Sequence, residues 1–206
     1  MERGRLITIE GLDGAGKTTL AVELEAELTA RNIDVRVLRE PGGVGMSERV
    51  RELVKDPMLR VAPRAEALLY AAARAQLVEE AVEPLLSSGT WVLLDRFVDS
   101  SLAYQGAGRQ LGIEQVLAIN RFATRGLEPD RTLLLVVDPA VGRARLSTRA
   151  EPVDRLEAER EDFFDKVGAA YRELAAREPQ RIRTIDATAP PDQVKRAALD
   201  ELSDLF

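Results

Sequence analysis

The chain has 206 residues, 45% of them hydrophobic, and it contains neither cysteine nor histidine. The missing cysteine excludes disulfides, thiolate metal sites and cysteine nucleophiles, and the missing histidine excludes histidine-dependent triads and most zinc sites. With 29 basic and 35 acidic residues the net charge is −6, which argues against a broad nucleic-acid-binding surface.

The length favours one compact domain over residues 1–206. Apolar runs are short compared with the roughly 18 residues of a membrane span. The first residues, Met-Glu-Arg-Gly-Arg, are not followed by the apolar segment of a signal peptide. We therefore expect a soluble cytoplasmic protein whose partners include neither membrane nor nucleic acid.

Short β-branched or leucine-rich runs alternate with helical stretches along the chain. The predicted strands are residues 5–9, 34–38, 90–94, 132–137 and 181–185. The predicted helices are a stretch from Lys17 onward, then 64–86, 113–125 and 157–177, and a last helix starting at Pro190-Pro191. This alternation predicts a three-layer α/β fold, with a five-stranded parallel sheet, helices on both faces, and ligands at the carboxyl ends of the strands.

Residues 11–18, Gly-Leu-Asp-Gly-Ala-Gly-Lys-Thr, match the phosphate-binding loop template between a predicted strand and helix. Glycines let the backbone turn sharply and bring N–H groups onto phosphate oxygens at a helix N-terminus. Lys17 would supply charge to the β- and γ-phosphates, and Thr18 a hydroxyl to magnesium. The alternative is a glycine-rich turn that matches by chance. The predicted nucleotide-binding residues are Gly11, Leu12, Asp13, Gly14, Ala15, Gly16, Lys17, Thr18 and Thr19.

Asp13 is unusual inside such a loop, because a carboxylate beside bound phosphates is repulsive unless magnesium or a sugar hydroxyl engages it. The alternative is a solvent-facing turn residue. A second acid, Asp95, comes directly after the predicted strand 90–94 and is followed by Arg96. This arrangement suits a site for both metal and phosphate, since Arg binds phosphate through two hydrogen bonds. A structural ion pair capping the strand is the alternative.

Tyr70 and Arg74 are four residues apart in a predicted helix and therefore share one face. An aromatic ring one turn from a guanidinium would form a pocket of pyrimidine size. Taken alone, the pair is more typical of a core residue beside a surface salt bridge.

The segment 143–160 carries five arginines that flank the helix-breaking Pro152: Arg143, Arg145, Arg149, Arg155 and Arg160. Such a charge run usually forms a solvated face. A mobile lid is the other interpretation, because phosphoryl transfer needs positive charge over the equatorial oxygens and exclusion of water.

Together these residues resemble the bacterial thymidylate kinases (dTMP kinases), over essentially the whole chain. The resemblance is carried by Ile-Glu-Gly-Leu-Asp-Gly-Ala-Gly-Lys-Thr-Thr (9–19), Arg-Glu-Pro-Gly-Gly (39–43), Tyr-Ala-Ala-Ala-Arg-Ala-Gln (70–76), Asp-Arg-Phe (95–97), Ser-Ser-Leu-Ala-Tyr-Gln-Gly (100–106) and Ile-Asp-Ala-Thr (185–188). It implies a phosphate-loop kinase fold with an acceptor-binding region at about 39–76 and 95–105 and a lid at about 143–157. It also implies a homodimer packed through helices.

The resemblance implies ATP on residues 11–18 and dTMP as the acceptor, with Arg96 on its monophosphate. It places thymine between the Tyr70 ring and the Arg74 guanidinium, bordered by Arg39 and the Glu40-Pro-Gly-Gly turn. Asp13 would meet the acceptor's sugar or the metal region. The implied residues along the deoxyribose and base are Ser101, Tyr104 and Gln105, and the implied Mg²⁺ residues are Thr18, Asp95 and Asp13.

Catalysis is then expected from Lys17, Asp13, Arg96 and a lid arginine. Position 14 is glycine, where some family members carry an arginine, so the catalytic lid residue is expected to be Arg149 or, second, Arg145.

The implied reaction is ATP + dTMP giving ADP + dTDP, for dTTP synthesis. No strong general base is needed, since the attacking phosphate oxygen is already ionised. One rival is a nucleoside monophosphate kinase for a different base. Another is a phosphate-loop switch, although the chain lacks the Asn-Lys-x-Asp motif that reads guanine.

Overall fold

The computed structural model describes residues 3–147 and 154–206, apart from the side chains at positions 139, 143 and 147. Its sheet consists of β1 (Leu6–Gly11), β2 (Val35–Arg39), β3 (Trp91–Asp95), β4 (Arg131–Val136) and β5 (Ile182–Asp186). The strand order is β2-β3-β1-β4-β5, and every neighbouring pair is parallel. The predicted five-stranded parallel sheet is confirmed, and each strand lies within two residues of its predicted bounds.

The described helices are α1 (Lys17–Ala30), α2 (Gly45–Lys55), α3 (Pro63–Leu77), α4 (Glu83–Ser87), α5 (Val98–Ser101), α6 (Ile113–Thr124), α7 (Pro139–Ser147), α8 (Glu161–Arg177) and α9 (Pro191–Asp200). Two π-helical segments, Val78–Val82 and Leu102–Gly108, continue α3 and α5, and a 3-10 turn, Ser203–Leu205, follows α9. Within the described ranges, no helix has the length and apolar character of a membrane span.

Helix positions agree with the spacing of apolar residues, and the differences have local causes. The predicted helix 64–86 is α3 and α4 joined by the π-helical segment, next to Pro84, which cannot donate to a helical carbonyl. The predicted helix 157–177 begins instead at Glu161. Residues before it form a turn in which Asp154 Oδ1 accepts from the backbone N–H groups of Leu156 and Glu157. Helices α2, α5 and α7 were not predicted.

Helices cover both faces of the sheet, because alternate residues of each strand point to opposite sides. On one face, Ile7 and Ile9 of β1 pack with Leu20 and Leu24 of α1. On the other face, Leu6 packs against α3 and its π-helical extension, and Leu134 of β4 packs against α8. The sequence pattern thus produces the predicted three-layer arrangement.

The strand register brings the chemically active residues to one edge. Ile9 pairs with Asp95, and Asp95 pairs with Arg39, so these three residues lie side by side near the carboxyl ends of neighbouring strands. The residues that follow, Glu10, Arg96 and Glu40, therefore meet at the carboxyl edge of the sheet, where ligands bind in such folds.

Candidate active site

The phosphate-binding loop joins β1 to α1. Gly14 and Gly16 adopt φ angles of +79° and +94°, in the left-handed region that glycine enters at little cost. Gly16 is the N-cap of α1 and supplies no side-chain hydrogen bond, and no acidic residue lies in the first turn. The N-terminus of α1 thus presents amide groups and a positive dipole end to an anion.

The loop packs directly on the backbone of α7. A Cβ atom added to Gly14 would lie 2.2 Å from the carbonyl oxygen of Gly142. This backbone arrangement leaves no room for any side chain at position 14, and an arginine there would not fit.

Lys17 is buried and folded over its own loop. Its Nζ donates to the carbonyl oxygens of Gly11, at 3.2 Å, and Leu12, at 2.9 Å. Burial and the Arg96 charge lower the pKa of Lys17 to about 8, against the opposing effect of nearby carboxylates. A bound phosphate would add negative charge here and favour the ammonium form.

Thr18 and Asp95 lie side by side at the entrance of α1. Thr18 Oγ1 donates to Asp95 Oδ2 at 2.9 Å, and both residues line the cavity described below. The described part of the chain contains no cluster of three or more acidic side chains that could hold a metal alone. Mg²⁺ usually takes one or two carboxylates together with water and substrate phosphates, so a hydroxyl beside one carboxylate fits this ion.

Asp13 is ion-paired rather than solvent-facing. Its Oδ1 accepts from Arg96 Nη2 at 2.5 Å and its Oδ2 accepts from the Tyr104 hydroxyl at 2.9 Å. Burial disfavours the charged carboxylate, but Arg96, Lys17 and the Tyr104 hydrogen bond outweigh it and hold the pKa of Asp13 well below its usual range. The guanidinium of Arg96 also lies over the Tyr104 ring, 5.0 Å from its centroid.

The backbone of Arg96 is in the left-handed region, with φ +71°, which is strained for a residue with a side chain. Glu10, fully buried on β1, holds the backbone that follows. It accepts from the Phe97 N–H at 2.7 Å, the Ser100 hydroxyl at 2.6 Å and the Tyr171 hydroxyl at 2.9 Å. Ser100 Oγ in turn accepts from Arg96 Nη1 at 3.1 Å.

Burial and the neighbouring Asp99 raise the pKa of Glu10 to about 7. Glu10 was not among the predicted site residues. Its one signal is a carboxylate near the end of a strand with no other charged residue, and such a buried carboxylate requires partners from elsewhere in the fold.

Arg74 is buried at the far end of the site, which rules out the surface salt bridge considered as an alternative. Its Nε donates to Glu40 Oε2 at 2.7 Å, and its Nη1 donates to Ser101 Oγ at 2.9 Å. It also donates to the Phe97 carbonyl oxygen and to Asn120 Oδ1. Burial raises the pKa of Glu40, against the Arg74 charge, and no described residue donates to its buried Oε1.

These groups surround one cavity of about 1000 Å³. The predicted site residues that line it are Asp13, Gly14, Gly16, Lys17, Thr18, Arg39, Tyr70, Arg74, Asp95, Arg96, Ser101, Tyr104 and Gln105. Gly11, Leu12, Ala15 and Thr19 belong to the loop but are not among the residues that line this cavity. The strand edge, α3 and the segment after α5 thus bring most of the predicted set together.

The predicted lid residues are only partly within the described ranges. Arg149 lies outside them. Arg145 Nη1 donates to the Ala187 carbonyl oxygen at 3.0 Å, and Arg145 is not among the described residues that line the cavity. After the gap, Asp154 and Glu157 line the cavity.

Three cavity residues on α2 escaped prediction, Glu48, Arg51 and Lys55. Arg51 Nη1 donates to the Pro41 carbonyl oxygen at 3.0 Å, and Lys55 Nζ lies 2.7 Å from Asp154 Oδ2. The available signal was the helical spacing of the buried Ser47, Val50 and Val54. That spacing marks the inner face of α2, but it does not show that the helix borders a ligand cavity.

Comparison with known proteins agrees with this geometry. Residues 9–198 match the family model described as thymidylate kinase. The thymidylate kinase of Halorhodospira halophila is 45% identical, with 100% of this chain and 96% of the relative aligned. Those of Deinococcus radiodurans and Oenococcus oeni are 48% and 50% identical, covering 95% and 97% of this chain and 94% and 95% of the relatives. The chain belongs to the thymidylate kinase family.

Proposed function

We propose that this chain transfers the γ-phosphoryl group of ATP to dTMP, giving ADP and dTDP for dTTP synthesis. Family membership supports the reaction. The structural observation that carries the proposal is a single cavity with a phosphate-binding loop at one end and the buried Arg74 at the other. Arg96 donates to Gly11 in the loop and to Ser100, and the next residue, Ser101, accepts from Arg74.

The donor half is the loop 11–18 together with Thr19. The amide groups at the N-terminus of α1 and the Lys17 ammonium would bind the β- and γ-phosphates of ATP. Lys17 would have to leave the carbonyl oxygens that it now contacts, and the phosphates would replace them as partners.

The acceptor half is built around Arg96, which would bind the monophosphate of dTMP. Tyr70 and Arg74 would contact the thymine, with Arg39 at the border of the pocket. The hydroxyl of Tyr104 and the side chains of Ser101 and Gln105 would line the sugar and base. In support, each of these residues lines the same cavity.

In the reaction an ionised phosphate oxygen of dTMP attacks the γ-phosphorus of ATP. The new P–O bond forms as the bond to the bridging β,γ-oxygen breaks, and ADP leaves with that electron pair. The chain has no histidine to act as a base, and none is needed. Lys17 and Arg96 would neutralise charge on the transferring group, and Asp13 would hold Arg96 in place.

We propose Thr18 and Asp95 as the residues that hold Mg²⁺, which when bound supplies charge neutralisation on the donor phosphates. Asp13 is a weaker candidate, because its carboxylate already accepts from Arg96 and Tyr104.

We also propose that one domain spans residues 1–206. Within it, Arg149 or Arg145 of the lid would reach the phosphates when the lid closes.

A homodimer packed through helices is proposed as the assembly. Leu68 on α3 is 57% exposed and Phe122 on α6 is 90% exposed, and these two helices are neighbours. Burying such side chains between two copies would stabilise a dimer. Light scattering should give twice the mass of the chain, and Phe122→Glu should lower it to that of one chain.

The decisive experiment is a coupled ADP-release assay with a panel of monophosphates. We expect dTMP to be preferred over dCMP, UMP and GMP. A preference for another base would refute the substrate in favour of another monophosphate kinase. Slow ATP hydrolysis that no acceptor stimulates would instead favour a phosphate-loop switch.

A further inference from the structure

Glu66 is a buried carboxylate on α3, one turn before the cavity residue Tyr70, and it is fully enclosed at 0% exposure. Three side chains from two other segments converge on it. Gln105 Nε2 donates to its Oε1 at 2.9 Å, Arg109 donates from Nε and Nη2 at 3.1 Å, and Arg155 Nη2 lies 2.6 Å from its Oε2. Two guanidinium groups thus surround one carboxylate.

This arrangement determines which way the Gln105 amide faces. A carboxylate that is paired with two guanidinium groups is ionised and can only accept hydrogen bonds. The Gln105 group that contacts it must therefore be the NH₂ group, which leaves the carbonyl oxygen Oε1 on the opposite side. The described residues donate no hydrogen bond to Oε1, which is not enclosed, and Gln105 lines the cavity.

A second buried carboxylate determines the neighbouring polar group in the same way. Glu40 holds Arg74, and Arg74 Nη1 donates to Ser101 Oγ at 2.9 Å. Because that oxygen already accepts, its own hydrogen is free to be donated to a ligand. The pocket thus presents an acceptor at Gln105 and a donor at Ser101.

We propose that Glu66 is a positioning residue for base specificity: by holding the NH₂ group of Gln105, it fixes the Gln105 carbonyl oxygen as an acceptor for the imide N–H of a 2,4-dioxopyrimidine. Thymine presents N3–H next to the C4 carbonyl, which matches the acceptor and donor of the pocket. Cytosine presents an unprotonated N3 next to an amino group, so both contacts are mismatched. The inference rests on the proposed dTMP kinase function.

The test compares kcat/KM for dTMP, dUMP and dCMP in the wild type, Glu66→Gln, Gln105→Met and the double variant. A glutamine at position 66 presents either a donor or an acceptor. The Gln105 side-chain amide can then rotate by half a turn and exchange the positions of its oxygen and its NH₂ group. We expect the dCMP-to-dTMP ratio of kcat/KM to rise about 10- to 100-fold in Glu66→Gln, the size of one mismatched buried hydrogen bond. The dUMP-to-dTMP ratio should stay within about twofold, since both bases present the same groups.

Two comparisons separate positioning from general damage. In the Gln105→Met background, Glu66→Gln should no longer change the dCMP-to-dTMP ratio, because its effect acts through Gln105. Arg109→Gln perturbs the same ion pair but does not touch Gln105, and it should keep the wild-type ratio. An unchanged ratio in a folded Glu66→Gln, or the same change in the Gln105→Met background, overturns the proposal.

A substrate analogue keeps the proposal testable if Glu66→Gln does not fold. The wild type should discriminate against N3-methyl-dTMP, which lacks the imide hydrogen, and Gln105→Met should lose most of that discrimination. Equal discrimination in both proteins overturns the proposal. A wild type without any dTMP kinase activity refutes the proposed function instead, so the two failures are distinguishable.

Discussion

Asp13 Oδ1 accepts a hydrogen bond from Arg96 Nη2 at 2.5 Å, and this ion pair connects the donor loop to the acceptor side of the cavity. Asp13→Asn removes the charge but keeps the size of the side chain. We expect kcat/KM for dTMP to fall about 10- to 100-fold, since a charge-assisted hydrogen bond that orients Arg96 is lost. The KM for ATP should change much less. Steady-state kinetics with each nucleotide varied in turn measures both, and equal losses for the two nucleotides would contradict this role.

Lys17→Ala should lower turnover by about three orders of magnitude or more, because the loop then lacks its charge on the transferring group. The fold should remain intact, since the hydrogen bonds of the buried Lys17 ammonium to the described residues go to two carbonyl oxygens and to no carboxylate. The coupled assay and thermal unfolding test these two expectations. The control is Lys166→Ala, on the exposed surface of α8, which should leave turnover unchanged. Near wild-type turnover in Lys17→Ala would refute the assignment.

Arg74→Ala is expected to weaken the binding of dTMP more than the binding of ATP. Because the Arg74 side chain is buried, the substitution should also lower stability. Removing the guanidinium leaves the Glu40 carboxylate buried without its partner, which should cost about 3–5 kcal/mol of unfolding free energy. The double variant Arg74→Met with Glu40→Leu should recover part of that loss, because no buried charge remains. Urea denaturation of Arg74→Met, Glu40→Leu and the double variant completes the cycle. Additive losses would show that the pair is not energetically coupled.

Gly14→Ala should destabilise the protein by about 2 kcal/mol or more, since the position combines positive φ with a carbonyl oxygen 2.2 Å from the added Cβ. Gly45→Ala is the matched control, because its added Cβ meets nothing within 4 Å and it lies in the first turn of α2. We expect this control to be neutral or slightly stabilising. Urea denaturation distinguishes the two, and similar stabilities would mean that α7 does not press on the loop.

The raised pKa of Glu10, about 7 against an ordinary 4.5, makes stability depend on pH. Between these two values the folded protein keeps the proton while the unfolded chain has lost it, so the folded state binds more protons. Stability contributed by this group therefore falls as pH rises from about 4.5 to about 7, and is level above that. The difference in unfolding free energy between wild type and Glu10→Gln should follow this curve. A difference that is constant from pH 5 to 8 would contradict it.

Local sequence was sufficient for the features whose parts are contiguous. The loop 11–18 carries its own glycines, lysine and hydroxyl, and it lies between a strand and a helix whose apolar spacing is visible in the chain. The five strands were predicted within two residues because each is a short apolar run between turns. Helix α2 was missed because its buried face is limited to Ser47, Val50 and Val54, while its other large apolar residues, Met46 and Leu53, are exposed.

Contacts across long sequence separations were decided only by the tertiary structure. The amino-acid sequence by itself determined a phosphate-binding loop, an α/β chain order and a set of arginines and carboxylates. It did not show that Arg74 would be buried on Glu40, that Glu10 would hold the backbone after Arg96, or that Glu66 would orient Gln105. These partners are 34 to 87 residues apart. A buried charge must find its partner wherever the fold brings one, and that depends on how the strands and helices pack.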